Sequence, residues 1–166
     1  LFFGKAACIN CHNSPSFNNQ RFAAVGVKNL FQSGHEVFRT DVNDARNKGR
    51  GGFTLRDEDL YKFKVPQLYN LKGIGFYFHG GSKNSLREVI EYFNEAKGEN
   101  PDVPTERLDP QFQPLNLTNT EIDDLLEFLE NGLYDDNLVR YKPYFTQSGF
   151  CFPNNDPQSK KDMGCK

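Results

Sequence analysis

The sequence predicts an all-α domain, and three observations carry that reading. Between Ser85 and Ala96, Leu86, Val89, Ile90 and Phe93 fall at i, i+3, i+4 and i+7, which puts them on one helix face. Thr118-Asn119-Thr120-Glu121 is a capping box that announces a second helix, with Ile122, Leu125, Leu126, Leu129 and Leu133 as its buried stripe. No stretch reads as a convincing strand, and no internal repeat is visible.

Near the start of the chain stands Cys8-Ile9-Asn10-Cys11-His12. The C-x-x-C-H spacing is the attachment signature of a c-type haem. Two thiols can add across the two vinyl groups of one haem, and the adjacent imidazole can turn onto the iron. A zinc knuckle would want a second ligand pair. A redox dithiol would be expected near a βαβ pattern, and none is visible. The reading is therefore one covalent haem c, with Cys8, Cys11 and His12 as its attachment residues and His12 as the iron ligand. The remaining thiols, Cys151 and Cys165, are not spaced as another such pair. A disulfide between them would close a loop of about 15 residues, worth about 3 kcal/mol in the chain-entropy model. That pairing and covalent haem both predict an oxidising, periplasmic or otherwise exported address.

The composition narrows the choices further. At 166 residues the chain is long enough for a domain with a real core, and its net charge of −2 gives no sign of a nucleic-acid partner. No apolar run approaches the roughly 18 residues of a membrane span. The chain opens on Leu1-Phe2-Phe3-Gly4 rather than Met, and reads as processed or trimmed. Sixteen Phe and seven Tyr are enough to wall a large flat cofactor, although core packing accounts for most of them.

In chain order, residues 1–8 read as a short helix running into the haem motif. The Asn-, Ser- and Gly-rich stretch from Asn13 to Gly34 should wrap the proximal side as loop, with Phe17 and Phe22 either at the haem edge or in the core. His35 reads as a solvated loop residue. Residues 41–52, with Gly49, Gly51 and Gly52, read as a mobile or functional surface loop. Thr54 should cap a helical turn over Leu55 to Tyr61. Pro66 pushes Val65 toward extended backbone. After the helix from Ser85 to Ala96, residues 98–116 are a Pro- and Asp-rich connector. Gly132 is a plausible stop for the last helix. Residues 1–133 form the expected domain, and 134–166 an irregular extension packed on it and stapled by the disulfide.

A short helix, a haem motif, loops and a closing amphipathic helix together resemble a class I cytochrome c, in which first and last helices cross near the haem. Gly4 would permit that close approach. The resemblance sharpens over Phe63-Lys64-Val65-Pro66, Leu68, Asn70, Tyr77-Phe78-His79, Gly81-Ser82, Leu86 and Glu88-Val89, with Leu117-Thr118, Glu121-Ile122 and Phe128-Leu129 at the end. This combination is similar to the C-terminal haem domain of bacterial di-haem cytochrome c peroxidases and MauG-type enzymes.

That resemblance implies a domain which reduces hydrogen peroxide or relays electrons to a peroxidatic haem. The alternative is a single-haem electron-transfer cytochrome c without catalytic activity. It implies hydrogen peroxide or another small haem ligand as substrate, a small redox protein as electron donor, and a second haem domain or a homodimer as companion. It places Lys64 among the haem-binding positions. Calcium is compatible with such a domain, but no residue pattern argues for it. The family's sixth iron ligand, Met or Tyr, falls fourteen residues after the His of Tyr-Phe-His; here that place is Phe93, which cannot ligate, with Tyr92 one residue before it. Tyr69 stands where the family has an Arg, and removes a charged partner for a propionate. His79 is a candidate group near a propionate, or else a satisfied loop histidine. Met163, the single Met, is a distant candidate for a thioether ligand. A general acid–base residue for O–O cleavage is expected, and none stands out.

Overall fold

The computed structural model describes residues 1–32, 40–135 and Lys161. His35, Met163 and the Cys151–Cys165 pairing lie outside the described residues, as does the extension beyond residue 135 apart from Lys161.

The all-α, class I cytochrome-like expectation is corrected here. Among the described residues the chain forms three short α-helices, Arg50–Thr54 (α1), Leu86–Glu95 (α2) and Asn119–Glu127 (α3). Several 3-10 turns accompany them, together with an antiparallel pair of strands, Phe22–Ala23 (β1) and Phe63–Lys64 (β2). The register sets Phe22 opposite Lys64 and Ala23 opposite Phe63. Pro66 keeps Val65 extended, and Val65 N–H continues the ladder by donating to Arg21 O at 3.0 Å. Strands of two residues are too short to show a period, so the pattern that finds helices passes over them. Elsewhere Pro, Gly and Asn interrupt the helical period, and the backbone satisfies its polar groups through turns.

The N-terminal segment illustrates this. Residues 1–7 form successive turns rather than a helix, with Gly4 N–H donating to Leu1 O at 3.0 Å and Ala7 N–H to Gly4 O at 2.7 Å. Ala7 then takes the left-handed conformation, φ 50°. These turns still pack against α3: Phe2 and Ala6 are buried in one cluster with Ile122 and Leu125. Lys5 Nζ meets Glu121 Oε2 at 2.7 Å. The close approach is not made at Gly4, where a Cβ would meet nothing within 4 Å.

Residues 41–52 hold turns, a 3-10 turn and the start of α1, with Asn47 and Gly51 buried and most of 41–50 exposed. Asp44 caps a 3-10 turn over Ala45–Lys48 and α1 follows. A Cβ on Gly51 would sit 2.6 Å from Leu60 Cα, and one on Gly52 would sit 1.8 Å from Ala45 O. The glycines therefore serve close backbone approach. Thr54 ends α1 instead of starting a helix, because Leu55 adopts φ 58°.

The two longer helices follow the sequence closely. Ser85 Oγ accepts from Glu88 N–H and caps α2, which ends at left-handed Ala96. Thr118 and Glu121 make both halves of the capping box on α3. The last turn widens to a π-helical one over Phe128–Gly132. α2 packs on α3, and Arg87 pairs with Asp123 between them. Replacing Thr118 with Ala should cost about 1 kcal/mol, since it removes one half of the box and frees the other. The check is a lower urea midpoint at unchanged slope.

Candidate haem-attachment site

Local geometry places Cys8, Cys11 and His12 on one helical turn. A 3-10 turn over Cys8–Asn10 leads into the motif. Cys8 O accepts from Cys11 N–H at 3.1 Å and from His12 N–H at 2.8 Å. Residues i, i+3 and i+4 therefore share one side of a helical turn. Asn side chains brace the loop that follows: Asn13 Nδ2 donates to Ile9 O at 3.0 Å and Asn19 Nδ2 to Asn13 Oδ1 at 2.7 Å.

His12 is oriented by backbone. Its Nδ1 lies 3.0 Å from Pro66 O and 3.3 Å from Phe17 O. A carbonyl can only accept, so Nδ1 carries the proton and Nε2 keeps its lone pair. Burial lowers the imidazole's basicity, against the raising effect of the two carbonyls. A neutral imidazole whose Nδ1–H is anchored and whose Nε2 is available is the form that ligates a metal.

The thiols are unpaired. Burial pushes Cys8 up to about 11 and also raises Cys11, on which Arg21 acts in the opposite sense. A reactive redox dithiol needs a lowered value instead. Among the described residues no three His, Cys, Asp or Glu side chains gather as a metal cluster. The donor set thus fits covalent haem, with two thiols and one neutral imidazole on one side of a turn.

Comparison with known proteins gives the chain's relatives. Cytochrome-c peroxidase IdrP1 of Denitromonas iodatirespirans is 34% identical over 159 residues, covering 86% of this chain and 41% of that protein. Methylamine utilization protein MauG of Methylorubrum extorquens is 30% identical over 132 residues, covering 78% and 32%. Among solved structures, a MauG-like protein associated with microbial copper homeostasis superposes with TM-score 0.63 at 24% identity, covering 84% of this chain and 43% of that one. The chain matches a domain of the di-haem cytochrome c peroxidase and MauG family. The diheme peroxidase BthA of Burkholderia thailandensis shares the fold, with TM-score 0.60 at 18% identity over 90% of this chain and 44% of that one. No family model matches the chain. The chain spans about two fifths of the length of the relative IdrP1, 41% of it.

Tyr92 and Phe93, the two positions the resemblance suggests as distal, fall on α2. Tyr92 is the more buried of the two candidates, at 6% exposure, and packs with Val27 and Phe112. Its hydroxyl donates to Val25 O at 2.5 Å, and burial pushes the phenol well above its ordinary range. Phe93 is half-buried, its ring 5.6 Å from Phe112 and 6.1 Å from Phe78. The stripe read from sequence had placed Phe93 with Leu86 and Ile90. A second aromatic cluster contributed by loops widens the buried face to include Tyr92. Tyr92→Phe should leave the visible spectrum unchanged. It should lower stability by about 1–3 kcal/mol, because Val25 O loses its donor; thermal melts and spectra of the variant check both halves.

His79 stacks on Phe63, ring centroids 4.2 Å apart, with a backbone hydrogen bond at Arg46. Its Nε2 is buried and has no partner among the described residues. Lys64 is exposed on β2 opposite Phe22. Tyr69 donates to Pro15 O at 2.9 Å and packs on Phe17 at 5.6 Å. Phe17 is core, in the cluster with Phe2. Phe22 lies under Arg50, whose guanidinium is 4.5 Å from its ring centre.

Sequence reading missed Arg21, Asp109 and Gln111, which gather at the Cys11 sulfur. No local signal marks them, since Gln111 is 100 residues from Cys11 in sequence. Arg21 and Gln111 flank the Cys11 thiol, and Asp109 backs Arg21.

Proposed function

We propose that this domain carries one haem c, bonded through Cys8 and Cys11 with His12 as iron ligand. We assign it to hydrogen peroxide reduction, either by binding peroxide itself or by relaying electrons to a peroxidatic haem. The observation that supports this most is the anchoring of His12 Nδ1 on Pro66 O and Phe17 O, at 3.0 and 3.3 Å. When bound, haem c supplies an iron that exchanges single electrons and, where its sixth position is open, takes a small ligand.

The chain's own residues supply the rest. The two carbonyls hold the imidazole plane and draw on its Nδ1 proton, which strengthens Nε2 as a donor. Phe93 offers no lone pair and keeps water from its side of α2. Tyr92 keeps its proton, committed to Val25 O. Lys64 on β2 supplies a positive charge for a propionate, next to the Phe63 on which His79 stacks; the Nε2 lone pair of His79 can accept a hydrogen bond there but not donate one.

The same reading includes a small redox protein as electron donor and a second haem domain or a homodimeric partner. It includes an exported, periplasmic address and a Cys151–Cys165 disulfide. Among the described residues no helix is long and apolar enough to cross a membrane.

The test is a visible and EPR spectrum of the ferric haem-loaded protein, before and after peroxide. High-spin iron that responds to peroxide is expected. Low-spin iron indifferent to peroxide would overturn the peroxide-binding reading and favour a single-haem electron carrier.

A further inference from the structure

The Cys11 sulfur has two polar neighbours from distant parts of the chain. Arg21 Nη1 lies 3.7 Å from it and Gln111 Oε1 3.2 Å. The other end of the guanidinium pairs with Asp109, whose side chain is 9% exposed, against 32% for Arg21. Both partners are held by backbone. Arg21 N–H donates to Asn19 Oδ1 at 3.0 Å, and Arg21 O accepts from Val65 N–H at 3.0 Å. Asp109 N–H donates to Ala24 O at 2.7 Å, Asp109 O accepts from Phe112 N–H at 2.8 Å, and its Oδ1 accepts from Gln111 N–H at 3.0 Å. Asp109 is the more enclosed and the more firmly held of the two.

Thioether formation treats the two neighbours of sulfur differently. Gln111 Oε1 accepts from the thiol S–H; in the addition sulfur bonds one vinyl carbon, the hydrogen ends on the other, and the C=C π bond is consumed, so this hydrogen bond is lost. Arg21 donates to sulfur, and a thioether keeps its lone pairs. Arg21 therefore remains against the attached edge, with its positive end toward the haem and Asp109 behind it.

We infer that Arg21 and Asp109 set the reduction potential of the haem attached at Cys11, Arg21 favouring the ferrous state and Asp109 opposing it. This rests on the attachment reading above. Reduction adds one negative charge to the haem. A fixed positive charge at its edge stabilises the added electron and a fixed negative charge destabilises it. A half-buried position screens both less than bulk water would.

The experiment is a redox titration of the haem-loaded protein and four variants, followed by visible absorbance. Arg21→Gln leaves Asp109 unopposed and should lower the potential. Asp109→Asn leaves Arg21 unopposed and should raise it. Each shift should be about tenfold in the ferrous-to-ferric equilibrium, or about 59 mV for one electron. Arg21→Lys keeps the charge and should stay close to wild type. The double variant Arg21→Gln/Asp109→Asn should return toward wild type, because the two shifts cancel.

A pair that only braces the fold would loosen the site in either single variant and move both potentials the same way. Shifts of the same sign, or shifts below about twofold in both variants, overturn the inference. If Arg21→Gln does not accumulate, Asp109→Asn decides by the sign of its own shift. Failure of the attachment reading is seen separately, as a wild-type intact mass without haem, and the inference then falls with it.

Discussion

A Cys8→Ser/Cys11→Ser double variant is expected to hold no haem through acid–acetone extraction, and its intact mass should be that of the polypeptide alone. The wild-type chain should exceed its polypeptide mass by one haem. Serine is close to each thiol in size, though more polar, and cannot form the thioether at a vinyl carbon. Loss of haem should therefore reflect lost chemistry, with little change at Cys11, which is half-exposed beside Gln111 and Arg21. Cys8 packs against the cluster of Phe2 and Leu125, so part of its effect will be on stability. The single variants separate the two. Each should retain one thioether and stay coloured after extraction, Cys8→Ser melting lower than Cys11→Ser. Extractable haem in the wild type would mean that the motif is not an attachment site.

Phe93→Met should convert ferric iron from high to low spin. The substitution puts a thioether at the position where the resemblance places the family's sixth ligand, and α2 is well fixed there by the Ser85 cap and by packing on α3. Met is flexible enough to refill the space among Phe78, Tyr92 and Phe112 without a large cavity. The change would be read as loss of the high-spin EPR signal and weaker binding of small ligands. An unchanged spin state would mean that α2 presents another residue to the iron. A low-spin wild type that responds to Tyr92→Phe would mean that Tyr92 has left Val25 O to ligate, and the open-site reading would then be wrong.

Several features were legible because they are local. Cys8, Cys11 and His12 are held by hydrogen bonds spanning three and four residues, which sequence spacing reports directly. The Thr118–Glu121 capping box is a four-residue signal, and both halves formed. The extent of α2 followed from its apolar period, with Ser85 as cap. The haem chemistry and the family resemblance rest on such short-range patterns.

Tertiary structure decided what those patterns cannot carry. The Pro66 carbonyl that fixes the tautomer of His12 is 54 residues away, and the Asp109 that pairs with Arg21 is 88 residues away. Neither pairing leaves a mark in composition or period. The same is true of the β1–β2 pair and of the glycines at 51 and 52, which look like loop residues until Leu60 and Ala45 are seen pressed against them. Tyr92 is deeper than Phe93 because loop residues Val27 and Phe112 close over it, which helix geometry alone does not foresee. Periodicity records which way a side chain points from its own element. What it meets there depends on where the rest of the chain returns, and that is settled by packing and by the need to pair every buried polar group.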